Sequence, residues 1–153
     1  MARLENMPAQ ERDHLLSVPC PTFETRPFVQ GPGLSKRRVA LISTAGIHRR
    51  GDRPFDVGAN DYRVIPRDTP ARDVIMSHIS TNFDRIGFQE DLNVIFPLER
   101  LKDLADEQSI GSVADVHYSF MGATDPLQMR EKTDELTAIM KGEKVDAVLL
   151  VPV

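Results

Sequence analysis

The last nine residues, Val145-Asp-Ala-Val-Leu-Leu-Val-Pro-Val153, form an almost unbroken apolar, β-branched run. A run without polar alternation suits a parallel strand covered on both faces, and parallel strands are joined by crossover segments, usually helices. In open sheets of this kind ligands bind just beyond the carboxyl ends of the strands. The run stops at Val153 without a turn, a helix or a tail. The expectation is therefore an α/β fold, an open, mostly parallel sheet with flanking helices, incomplete at its C-terminus where a site should begin.

Composition narrows the function classes. The 153 residues match one ordinary domain, and 41% hydrophobic with 27% charged residues leaves ample material for a core. A net charge of -4 argues against a nucleic-acid surface, because phosphate binding draws its affinity from clustered Lys and Arg. The Lys36-Arg37-Arg38 cluster is too short to reverse that and is expected to flank a strand. Cys20 stands alone, so no internal disulfide forms; it reads as a small packed side chain. No signal-peptide pattern and no run of ~18–20 apolar residues is present, which points to a cytoplasmic chain without a bilayer role.

Residues 1–36 are rich in proline and charge and read as an extended arm laid over the domain formed by residues 37–153. Within the arm, Glu11 to Leu16 predicts one short amphipathic helix, with Phe23 and Phe28 pinning the extended part to the core. Arg38 to Ile47 predicts the first strand, His48 to Asn60 a mobile surface loop, Tyr62 to Ile65 an edge strand, and Asp73 to Ser77 a strand delivering His78. Pro97 to Glu107 predicts a helix with Leu98, Leu101 and Leu104 on one face. Val113 to Gly122 reads as a strand entering a glycine turn. Asp125-Pro126 caps a helix through about Lys141, with Gly142 as its stop.

Five residues fall where strands should end. Thr44 and Gly46 offer a hydroxyl and exposed backbone N–H groups able to hold a carboxylate, alongside Ser43. His78, His117 and Ser119 complete the pocket candidates, although a lone histidine is often a satisfied core residue. His78 and Asp84 in one polar loop form a hydrogen-bonded pair or two ligands of a metal, without a compact third and fourth.

Five segments together, Arg38 to Gly46, Asp91 to Arg100, Ile110-Gly-Ser112, His117 to Gly122 and Val145 to Pro152, give the chain from about Ser35 to Val153 a family resemblance. It resembles the selenoprotein B family of the glycine, sarcosine, betaine and D-proline reductases. The resemblance implies an oxidoreductase subunit that cleaves a carbon–nitrogen bond of a small amino-acid-type substrate and works with other reductase subunits. It further implies a selenocysteine or cysteine in a Sec/Cys-x-x-Cys type motif directly after the apolar strand, so selenocysteine is expected in a full-length product and no other cofactor in this chain. A selenolate there, facing a helix N-terminus, would be stabilised as an anion, and a neighbouring thiol would resolve its adduct by exchange.

No Cys follows Cys20, so the nucleophile is expected immediately after Val153, where an in-frame UGA codon would have been read as a stop. The chain as it stands is then catalytically silent, and its uncovered apolar strand promotes homo-oligomers. Two other readings remain open. One is a non-catalytic α/β interaction module that recruits a partner through the exposed sheet edge. The other is a metal-dependent hydrolase using His78, Asp84 and His117.

Overall fold

The structure, a computed structural model, describes residues 3–17, 19, 22, 24, 26, 28–80 and 85–153. The apolar run after Lys36-Arg37 forms β1 (Arg38–Ser43), with Val39, Ala40, Leu41 and Ser43 buried. Around it the main sheet is assembled. On one side β7 (Ala147–Val151) runs parallel to β1 in unbroken register from Val39↔Ala147 to Ser43↔Val151. On the other side β1 meets two short parallel strands in succession, β5 (Ser112–Val113) and β6 (Val116–Ser119). Outside β6 lies β3 (Arg63–Pro66), antiparallel. A separate two-stranded antiparallel sheet joins β2 (Ile47–Arg49) to β4 (Val74–Met76).

Alternation along β1 sends side chains to two cores. Val39 and Leu41 pack in one cluster with Ile65, Ile95, Phe96 and Val113. That cluster is closed by Leu98 and Leu101 of α3 (Leu98–Asp106), the helix predicted from the Leu98/Leu101/Leu104 spacing. Ile42 points the other way, to Tyr118, Phe120, Met129 and Leu136. Leu136 belongs to α4 (Arg130–Gly142), reached through a tight 3₁₀ turn at Pro126–Met129. The Asp125 carboxylate accepts the Leu127 N–H at 3.0 Å, the N-cap expected from Asp-Pro. The helix ends at Gly142, and Lys144 at φ 60° takes the left-handed turn after it.

The open, mostly parallel α/β sheet with flanking helices agrees with the sequence reading, and several local expectations are corrected. The first strand stops at Ser43 because Gly46, at φ 61°, turns the chain out of the main sheet before Ile47. The predicted surface loop after it is mostly exposed, as expected, but it is anchored at three points: His48 lies in β2, and Phe55 and Ala59 are buried against Met121. Arg63 ties that segment down, donating to the carbonyls of Arg53 and Pro54 with its guanidinium 4.3 Å above the Phe55 ring. The arm helix forms as α1 (Ala9–Ser17) but is not amphipathic, since Leu15 and Leu16 are adjacent in sequence and diverge around the axis; it buries no residue. Phe28 is 93% exposed and pins nothing, while Phe23 and Cys20 lie outside the described residues. A short helix not anticipated, α2 (Ile86–Glu90), precedes α3.

The terminal run forms the anticipated parallel strand. Among the described residues β7 pairs with β1 alone, and Val148, Leu149 and Leu150 are at least 38% exposed, in keeping with the uncovered apolar strand expected from the sequence.

Truncating the buried helix residues should separate core from surface. Leu101→Ala and Leu136→Ala are each expected to cost about 2–5 kcal/mol in urea unfolding, against well under about 1 kcal/mol for the exposed Leu127→Ala. Leu150→Lys, on the bare edge, should raise the monomer fraction in sedimentation without lowering stability measurably.

Candidate functional site at the strand ends

Because β1, β6 and β7 are parallel, their carboxyl ends lie together, and the turn after β1 brings the end of β4 beside them. Thr44 follows β1 directly. Its backbone N–H donates to Val151 O at 3.1 Å, continuing the ladder with β7. Its hydroxyl then takes over from the backbone, accepting the Val153 N–H at 2.8 Å and lying 3.2 Å from Val153 O as donor. One side chain thus substitutes for a missing strand residue and fixes the backbone of Val153 at both polar atoms.

Two glycines form the floor. A side chain at Gly122 would stand 2.6 Å from Val153 O, 2.8 Å from Thr44 O and 3.2 Å from His78 Nε2. At Gly46 the left-handed φ combines with a gap of only 3.0 Å to the His78 Cα. These positions let the ends of β1, β4, β6 and β7 approach one another at backbone distance, which a Cβ would prevent.

His78 is buried, with 5% of its surface exposed. Its Nδ1 accepts the Ser80 N–H at 3.1 Å, so the neutral ring carries its proton on Nε2, the atom facing Gly122. Burial and the nearby Arg85 guanidinium lower the His78 pKa, partly opposed by the Ser80 hydrogen bond. Arg85 also donates to the carbonyls of His78 and Ser80, holding the segment that presents the ring. At neutral pH the ring is therefore uncharged, with its Nε2–H edge buried against Gly122.

The remaining candidates do not line the same space. Ser119 is fully buried behind it, its Oγ accepting the Ile47 N–H at 2.9 Å and so anchoring β2. His117 sits in the core with its ring edge-on to Phe96 at 6.1 Å. Between Val39↔Val113 and Ile42↔Tyr118 the sheet accommodates two extra residues, Ala114 and Asp115. This bulge interrupts the ladder opposite Leu41, and His117 Nδ1 accepts the Leu41 N–H at 3.0 Å. Asp84 lies outside the described residues, and among those described no three His, Cys, Asp or Glu side chains are grouped to hold a metal ion.

Two residues that sequence reasoning missed support the site from below. The Ser77 hydroxyl accepts the Phe55 N–H at 2.8 Å and lies 3.2 Å from Nδ1 of buried His48. Gly122 was legible only as a turn; what gives it meaning is the approach of Val153, just past β7 and 31 residues on. No helix among the described residues is long and apolar enough to cross a membrane.

Three outcomes test this geometry. Thr44→Val should cost about 1–2 kcal/mol locally, read as faster amide exchange at Val153, with Leu41 unaffected. Gly122→Ala should cost about 1–3 kcal/mol, because backbone atoms rather than flexible side chains must move. Burial, with Lys102, Arg67 and Arg38 nearby, depresses the His117 pKa to about 4. The unfolded chain therefore binds this proton more tightly, so the stability from neutral His117 is complete above about pH 6.5 and is lost as pH falls through about 4, on the order of 3 kcal/mol in all. His117→Asn, which keeps an acceptor near Nδ1, should flatten that part of the pH profile of urea unfolding.

The chain is 35% identical over 120 residues to D-proline reductase subunit gamma of Acetoanaerobium sticklandii, an alignment covering 76% of this chain and 49% of that protein. It thus spans about half the length of the curated relative it matches. No solved structure matches. Residues 17–153, which include every strand and the whole strand-end site, match the glycine/sarcosine/betaine reductase selenoprotein B family, and the chain belongs to that family.

Proposed function

We propose that this chain supplies the strand-end half of a selenoprotein B-type reductase component, acting with other reductase subunits on the carbon–nitrogen bond of glycine, sarcosine, betaine or D-proline. The observation carrying this reading is the convergence of four strand ends on a glycine floor, with Val153 clamped by Thr44 and His78 Nε2 facing Gly122. A redox selenocysteine or cysteine placed beyond β7, as the family resemblance implies, would meet these groups first. Thr44 then acts as a positioning residue for that nucleophile. His78, neutral and protonated on Nε2, is suited to hold a substrate carboxylate beside it; the backbone N–H groups from Thr44 to Ile47, expected from sequence to be exposed, are spent inside the fold on Val151 O, Ser43 Oγ, Phe120 O and Ser119 Oγ.

In that role the nucleophile takes the substrate carbon, the amine leaves with a proton, and a dithiol reduces the adduct and becomes a disulfide. The 153-residue chain has no Cys after Cys20. A second reading, an interaction module, is favoured by one observation, the bare apolar edge of β7.

Titrating each of the four substrates into the chain should shift the amide signals of Thr44, Gly46, His78 and Gly122 for at least one of them, and His78→Ala should abolish that shift. Alone with a dithiol the chain should release no amine. Release that survives Cys20→Ser would sink the assignment, and absence of any substrate response at the strand ends would favour the interaction module.

A further inference from the structure

The segment between β2 and β3 packs beside the strand-end site. Ala45, set between Thr44 and Gly46, pairs with Met121, the neighbour of Gly122, and Phe55 and Ala59 pack on Met121. The rest of the segment is largely exposed, so a few polar anchors hold it. The Thr124 hydroxyl donates to Ala59 O at 2.7 Å. Arg63 donates to Arg53 O at 2.7 Å and to Pro54 O at 3.1 Å. The Phe55 N–H donates to the Ser77 hydroxyl at 2.8 Å.

That hydroxyl also serves a buried histidine. Its single proton has two acceptors in reach, Gly46 O at 3.3 Å and His48 Nδ1 at 3.2 Å. Gly46 O already accepts the Ser77 N–H at 2.9 Å. The hydroxyl proton therefore goes to Nδ1, and neutral His48, 5% exposed, carries its own proton on Nε2. A second proton on the ring reverses this bond. Nδ1 becomes a donor, the hydroxyl has to turn to Gly46 O, and its lone pairs are divided between His48 and the Phe55 N–H.

The charge on that second proton is also badly placed. Arg63, buried and paired with Asp61 at 2.9 Å, is the cation that acts on the ring, and it supplies the Arg53 and Pro54 anchors. Asp52 is the opposing anion, but Arg49 already holds both its carboxylate oxygens, at 3.0 and 3.1 Å. Burial first, and then Arg63, lowers the His48 pKa against the smaller effect of Asp52. One proton thus acts on two of the three sets of anchors.

We propose that the segment from Arg50 to Ala59 is a latch on the strand-end site, closed by neutral His48 and released when His48 is protonated. Since the unfolded or released ring binds its proton more tightly, closure is complete above about pH 6.5 and is lost as pH falls through the lower value of the closed state. Release frees Met121 and, beside it, Gly122. What this does to a substrate rests on the reductase reading; the latch itself does not.

Amide exchange and histidine ring signals of the 153-residue chain, followed from about pH 7.5 to about pH 5 without substrate, test it. Protection at Phe55 should fall about tenfold or more, with shifts at Ala59 and Met121 sharing the midpoint of the His48 ring, while Ala40 and Ile42 of β1 keep their protection. His48→Asn, which leaves an acceptor for the Ser77 hydroxyl, should abolish the step. Asp52→Asn should move its midpoint to lower pH, and Ser77→Ala should leave Phe55 poorly protected throughout. Constant Phe55 protection while the ring titrates, a step that survives in His48→Asn, or an equal loss at Ala40 and Ile42 would overturn the proposal. Because no substrate is added, this result and the substrate titration at Thr44 and His78 fail separately.

Discussion

Every strand of the main sheet except β3 is held by hydrogen bonds to the backbone of β1. That strand serves β7 along one side and β5 and β6 in turn along the other, so its N–H and C=O groups are committed almost without exception. The arrangement is under strain at one place, where Ala114 and Asp115 push the neighbouring strand out of step. A buried N–H left open there would cost as much as a lost hydrogen bond or more. His117 removes that cost by lending a ring nitrogen to the backbone of Leu41. Its imidazole must therefore remain neutral inside an apolar cluster, which explains both its burial and its position far from any surface.

The same logic of side chains standing in for backbone builds the strand-end site. Thr44 extends the β1–β7 ladder past its last regular pair, Ser119 holds the start of β2, and Ser77 holds Phe55. Hydroxyls are short and lack charge, so they can substitute for peptide groups without a desolvation cost of the ionic kind. The glycines then decide how closely these reinforced ends approach. What remains to face the shared space is limited to backbone groups and the Nε2 edge of His78.

Much of this was readable from residue pattern. The spacing of Leu98 and Leu101, the Asp125-Pro126 cap and the apolar run from Ala147 placed α3, the turn before α4, and β7 with little ambiguity, because each rests on local periodicity or a cap. Thr44, Gly46 and His78 were placed at strand ends correctly for the same reason. His117 and Ser119 were legible as polar residues near a strand end, but their roles depend on a register shift between strands more than seventy residues apart, which no local pattern encodes. The segment from His48 to Asn60 read as loop because of its charge and glycine content, and a single aromatic, Phe55, was enough to bury part of it. The arm reads in the opposite sense: Leu15, Leu16 and Phe28 are apolar, yet without a helical stripe they find no core.

The position of β1 at the centre of the sheet also bears on how the chain comes together in time. Its nearest strand partner in sequence lies 74 residues later, at Ser112, and its longest ladder, with β7, spans 108. During synthesis at ~5–20 residues per second, β1 therefore leaves the ribosome as an apolar strand with no partner for several seconds. Closing such long loops before any pairing compensates is slow, and the intervening state exposes both edges of β1. Until Ser112 and Ala147 have emerged, both edges of β1 stay open to mispairing, so the separation in sequence between this strand and its partners sets the period in which the chain is most exposed to association.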